Sequence, residues 1–206
     1  MTIEIKISKK PVEYNKAVNF LEKRLAEVVN KKSSELIWLL EHPSTYTAGK
    51  GYKINEIINN KINIIKTNRG GKITWHGPGQ IICYFVIDLN KRNRDIRKFI
   101  SLIENVIIQT LTDYKIKSFA DRKNIGIWVK KNKVTNKVAA LGLRIKKWIV
   151  YHGFSLNVKN DLKPYSNIIP CGIRDKGVTN LKQIKINSYK DLRKKIIYNL
   201  KMNLEI

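Results

Sequence analysis

Two cysteines occur in this 206-residue chain, and Cys171 is the one placed for chemistry. It stands in the run Ile168-Ile169-Pro170-Cys171-Gly172-Ile173. A proline on one side and a glycine on the other put it on a turn or a helix-entry loop, where a substrate can reach the thiol. Cys83 lies inside an apolar run and reads as a small buried hydrophobe. The thiolate is the nucleophile, and a free thiol titrates at about 8.5, so Cys171 needs a nearby cation to act at neutral pH. Lys137 opens the run Lys137-Val138-Ala139-Ala140-Leu141-Gly142-Leu143-Arg144-Ile145. Drawn as a strand, that run puts Lys137, Ala139, Leu141 and Leu143 on one face. A lysine at the start of a small apolar run can lie partly buried, where its pKa is adjustable. The commoner alternative is a lysine snorkelling at a strand end, and Lys130, Lys131 and Lys133 read that way.

Two glycine-rich segments accompany these residues. Arg69-Gly70-Gly71-Lys72-Ile73-Thr74-Trp75-His76-Gly77-Pro78-Gly79-Gln80 interrupts strand-like sequence with polar and basic groups. Its glycines let backbone N–H donors approach a ligand, and Pro78 stiffens the turn; glycine spacing alone would also suit a decorated hairpin loop. The other is Tyr151-His152-Gly153-Phe154-Ser155-Leu156-Asn157-Val158.

The elements that must position these groups follow from periodicity. Tyr14, Ala17, Val18, Leu21, Leu25 and Val28 recur at three- and four-residue spacing, which predicts a helix over 14–29. Residues 35–40 read as a buried strand ending at His42-Pro43, and residues 81–89 have strand composition. Asp95 is a good N-cap for a second helix whose inner face carries Ile96, Phe99, Ile100, Ile103, Val106, Ile107 and Leu111. Short strands are expected at 126–130, 138–145, 148–151 and 154–158, and a last helix, capped by Ser188, carries Leu192, Ile196 and Leu200. Strands and helices do not alternate as a doubly wound fold requires. The pattern predicts one α+β domain over 1–206, with a mainly antiparallel or mixed sheet flanked by helices.

Taken in order, His42-Pro43, Thr47-Ala48-Gly49-Lys50, the Arg69 to Gln80 run, the Lys137 to Ile145 run, the His152 to Val158 run and Pro170-Cys171-Gly172-Ile173 resemble the octanoyltransferase family. This is the lipoyl(octanoyl) transferase, or lipoate-protein ligase B, family of lipoate biosynthesis. Trp75 stands where that family commonly has tyrosine, and Lys50 where arginine is more usual. The resemblance implies the fold shared by biotin and lipoate protein ligases. It makes Cys171 the acyl-accepting nucleophile and Lys137 the residue that lowers its pKa and relays protons. Arg69, Gly70, Gly71, Lys72, Ile73, Thr74, Trp75 and His76, with Ala140, Leu141, Gly142, Gly153, Phe154 and Ser155, would line the acyl pocket. The donor would be octanoyl-acyl carrier protein. The acceptor would be a lysine of a lipoyl domain of a 2-oxoacid dehydrogenase, or of the glycine-cleavage H protein. Because the acyl group arrives as an activated thioester, no cofactor, ATP or metal is implied. An ATP-dependent lipoate or biotin ligase of the same fold would need no nucleophilic cysteine.

The formal net charge is +25, which favours acidic partners. Compositional drift toward Lys, Ile and Asn is the commoner cause of such a charge, and here the basic residues run along the whole length. A nucleic-acid module would gather them into one patch with exposed aromatics, and no such cluster is visible, so no nucleic-acid partner is expected. No apolar run approaches the roughly 20 residues of a membrane span, and the N-terminus has no signal core. The expectation is a cytoplasmic protein with no membrane partner. Two cysteines make no disulfide framework.

Overall fold

Among the residues described, apolar patterning resolves into eleven strands and four helices. The computed structural model describes residues 3–131, 133–173, 176–186 and 188–204, with Cys171 by its backbone alone. In chain order the elements are β1 (Ile3–Ile7), α1 (Tyr14–Val29), β2 (Glu35–Leu40), β3 (Thr45–Ala48), β4 (Ile64–Lys66), β5 (Ile73–His76) and β6 (Gln80–Asp88). Then follow α2 (Ile96–Thr112), β7 (Phe119–Ala120), β8 (Ile127–Lys131), β9 (Val134–Lys146), β10 (Ile149–Asn157), β11 (Gly177–Val178), α3 (Leu181–Ile184) and α4 (Leu192–Asn203). The main sheet runs β1-β2-β6-β10-β9-β8-β7, with β11 beside β9, and a smaller sheet runs β4-β3-β5. The β1–β2, β9–β11 and β3–β4 pairs are parallel and the other pairs antiparallel, so this is the mixed α+β domain the sequence predicts.

The inner strands bury both faces. In β2, Ile37 and Leu39 enter the larger core cluster, while Leu36, Trp38 and Leu40 enter a second one on the opposite face. Helices α2 and α4 cover the first face through Phe99, Ile103, Ile107, Leu192, Ile196 and Leu200. Helix α1 covers the second through Ala17, Leu21, Leu25 and Val28, and each large apolar side chain so buried contributes about 1.5–3 kcal/mol. Asp95 caps α2 as expected, its carboxylate accepting from Lys98 N at 3.0 Å.

Three readings need correction. The segments 148–151 and 154–158 are one strand, β10, because Gly153 stays within the ladder, paired with Tyr84 and Gly142. The last helix starts at Leu192, after Asp191, and not at Ser188. Lys137 does not share a face with Ala139, Leu141 and Leu143. A register shift opposite Ile127 and Trp128 breaks the alternation, and Val138 and Ala139 both reach the larger core.

Candidate functional site

Strand register assembles the site floor on the α1 face of the main sheet. Tyr84, Gly153 and Gly142 lie in one row across β6, β10 and β9, and Ile82, Ser155 and Ala140 in the next. The row of two glycines leaves room where side chains would stand. A Cβ on Gly142 would lie 3.4 Å from both Arg69 Cδ and Gly70 O. One on Gly153 would run into the Cys83 carbonyl, so only glycine fits there. Above this floor, Arg69, Gly71, Lys72, Thr74 and His76 form the other wall of a cleft of about 480 Å³, open mouth included.

Arg69 holds the wall together. Its Nη2 donates to Thr47 O and Oγ1, both at 2.9 Å, and its Nη1 to Gly70 O at 2.9 Å. Gly70 N in turn donates to Leu143 O at 3.2 Å, tying the loop to β9. The guanidinium is buried and meets no carboxylate among the described residues, so its charge acts on the cleft.

The chain's three histidines lie in this polar layer. His42 Nδ1 donates to Val12 O at 2.6 Å, which leaves Nε2 to accept from the Tyr84 hydroxyl at 2.8 Å. His76 Nδ1 donates to Gln80 Oε1 at 2.7 Å, and His152 Nε2 to Asn68 Oδ1 at 3.1 Å. Burial lowers the pKa of His42 to about 4. Burial, then His42 and Arg69, lowers His76 to about 3; burial, then Arg69 and Arg144, lowers His152 to about 3. All three are neutral at physiological pH, so the positive charge around the cleft comes from Arg69, Arg144 and Lys72. His152 has the left-handed backbone angle φ 67°, a strained state for a non-glycine residue, and its ring stacks on Tyr151 at 4.9 Å.

Cys171 lies in a 3-10 turn, Pro170–Gly172, as the Pro–Cys–Gly run suggested. Its side chain lies outside what is described. Ile169 N donates to Glu56 O at 2.7 Å and Ile57 bridges to Ile168, so the segment around Glu56 clamps the approach to the turn. Lys72 links cleft and turn: its Nζ pairs with Glu56 Oε1 at 2.9 Å, and a Cβ on Gly172 would lie 2.9 Å from Lys72 Cδ. Lys137 is buried and is not among the residues that border the cleft. Its Nζ donates to Ile125 O at 3.0 Å and sits 4.7 Å from the Trp128 ring centroid. Cys83 is fully buried in β6, and burial pushes its thiol pKa up.

Of the residues singled out from sequence, Arg69, Gly71, Lys72, Thr74, His76, Ala140, Leu141, Gly142, Gly153, Phe154 and Ser155 border the cleft. The Phe154 and Leu141 side chains pack into the larger core beyond the sheet. Ile73 and Trp75 point into a third cluster with Tyr165 and Ile168, and Gly70 supports the loop. Sequence reasoning missed Ile82, Tyr84 and His152 as lining. Only a polar Tyr and His within otherwise apolar strands signalled the last two.

Known proteins resemble this chain in sequence and in fold. The family model of the lipoyl protein ligase A/B catalytic domain matches residues 13–200. An octanoyltransferase of Ehrlichia chaffeensis is 43% identical over 192 residues, covering 92% of this chain and 90% of that protein. One of Anaplasma phagocytophilum is 41% identical over 206 residues, covering 97% and 99%. Among solved structures, a lipoate-protein ligase A bound with ATP superposes with TM-score 0.77 at 15% identity, covering 100% of this chain and 87% of that one. A biotin protein ligase from Aquifex aeolicus gives 0.57 at 14%, covering 100% and 70%. At these identities the structures speak for the fold.

Proposed function

We propose, given that this chain belongs to the lipoyl protein ligase A/B catalytic-domain family, that it moves octanoyl from acyl carrier protein to a protein lysine through a thioester on Cys171. Its relatives at 41% and 43% identity are octanoyltransferases, and the chain is an acyltransferase of that kind. The observation that carries the finer reading is the path from cleft to turn. A cleft floored by Gly142 and Gly153 shares its Lys72 wall with the Pro170–Gly172 turn.

The Cys171 thiolate attacks the donor thioester carbonyl, and the pantetheine thiol leaves. Exchange of one thioester for another costs little, so neither ATP nor a metal is needed for this step. Lys137 stabilises the thiolate and protonates the departing thiol. The lysine amine of a lipoyl domain, or of the glycine-cleavage H protein, then displaces Cys171, and amide formation drives the transfer. Acyl carrier proteins and lipoyl domains are typically acidic, so a chain of net charge +25 attracts both.

Intact mass spectrometry after incubation with octanoyl-acyl carrier protein, without ATP, tests this. The parent should gain one octanoyl mass that hydroxylamine removes, and Cys171→Ala should gain none. Full turnover by Cys171→Ala, or a requirement for ATP and free octanoate, would refute the covalent route in favour of an adenylate-forming ligase.

A further inference from the structure

A buried carboxylate, Glu56, lies against the Cys171 turn. The Glu56 carboxylate is 5% exposed, and its Oε1 is paired with Lys72 at 2.9 Å. Its Oε2 is buried and has no hydrogen-bond partner among the described residues. A buried carboxylate oxygen without a donor is costly, and the group that best satisfies it is a cationic amine. The position is specific. A Cβ on Gly172 would lie 2.6 Å from Glu56 Oε1, and consecutive Cα atoms are about 3.8 Å apart, so this carboxylate lies under the Cys171 turn. The backbone of Glu56 is fixed to the same turn, accepting from Ile169 N at 2.7 Å.

We propose that Glu56 receives the acceptor lysine and takes its proton in the second half of the reaction, an inference that rests on the Cys171 thioester reading. The acceptor arrives as an ammonium, which cannot attack. Glu56 Oε2 accepts one proton, and the freed amine attacks the thioester carbonyl carbon. The C–N bond forms, the C–S bond breaks, and sulfur leaves with the electron pair. The second nitrogen proton passes to Lys137, which gave its own to the pantetheine thiol, so sulfur leaves as the thiolate that starts the cycle, and Glu56 then returns its proton to solvent. Charge and protons balance: ammonium, thioester, carboxylate and neutral Lys137 become amide, thiolate, carboxylic acid and protonated Lys137. Lys72, partly exposed, is the cation already paired with Glu56, and the incoming ammonium joins that pair. The first half-reaction has no ammonium to deprotonate and does not call on Glu56.

The test compares deacylation of the octanoyl-enzyme by two acceptors. One is a lipoyl domain, whose lysine arrives protonated; the other is hydroxylamine, an amine already neutral near neutral pH. In Glu56→Gln, deacylation by the lipoyl domain should slow about 100-fold or more, the usual range for losing a general base. Hydroxylamine deacylation, and acylation by octanoyl-acyl carrier protein, should stay within about twofold of the parent. Glu56→Asp keeps the charge, should recover part of the lipoyl-domain rate, and serves also if the glutamine variant does not fold. Unchanged lipoyl-domain rates in both variants would overturn the proposal. So would equal slowing of acylation and both deacylations, which marks a residue that only supports the turn. If the parent forms no octanoyl-enzyme, the thioester reading itself fails, and this proposal with it.

Discussion

Acidification should unfold this protein in a window set by its histidines. In the native state His42 titrates at about 4 and His76 and His152 at about 3, all held neutral chiefly by burial. Unfolded, each returns to about 6.5. A folded pKa below the unfolded one means that the unfolded chain binds more protons. Stability is therefore full above about pH 6.5 and falls as pH drops toward the folded values. Between about pH 7.5 and about pH 5, each histidine should remove about 2 kcal/mol, or about 6 kcal/mol for the three, with a slope near 4 kcal/mol per pH unit at the acid end. That loss is comparable to the whole stability of an ordinary domain, about 5–15 kcal/mol. Among the carboxylates, Asp121, held below its usual range by hydrogen bonds from Lys176 and Asn124, loses its contribution only at lower pH, whereas Glu104, held above its usual range by burial, takes up its proton sooner when folded and offsets part of the loss. Urea titrations across this range measure the slope, and His152→Gln should remove about a third of it. A flat stability from about pH 7.5 to about pH 5, or a slope of one proton, would refute the claim that three neutral histidines underlie the cleft.

Three further outcomes are expected. Gly153→Ala should cost about 2 kcal/mol or more in urea unfolding, because its Cβ meets the Cys83 carbonyl, whereas Cys83→Ala should cost only packing, about 1 kcal/mol. Lys137→Ala should slow both iodoacetamide alkylation of Cys171 and acyl transfer near neutral pH, while Lys133→Ala, at an exposed hairpin position, should match the parent in both. With octanoyl-acyl carrier protein as donor, kcat/KM should fall as salt rises and the screening length shrinks to about 8–10 Å, and a small octanoyl thioester should show far less dependence; equal dependence would make the +25 charge drift alone.

Local signals determined much of this protein. Helices α1 and α2 were legible because their apolar residues repeat at helical spacing, and the cap at Asp95 because its carboxylate needs only its own first turn. The Pro–Cys–Gly turn and the Arg69 loop were legible because proline fixes the backbone and glycine frees it locally, whatever the rest of the chain does. Strand β1 was not, since an edge strand alternating Ile with Glu and Lys is ordered by the partner it pairs with, here β2. The face of Lys137 depends on a register shift against β8, and sequence alternation cannot show such a shift. Tyr84 and His152 enter the cleft through strand pairing and a left-handed residue, and Glu56 reaches the Cys171 turn across more than a hundred residues of chain. Which residue types could do the chemistry is written in sequence because it depends on composition and near neighbours. Which of them meet depends on register and on packing between distant segments, and those are settled only when the whole sheet closes.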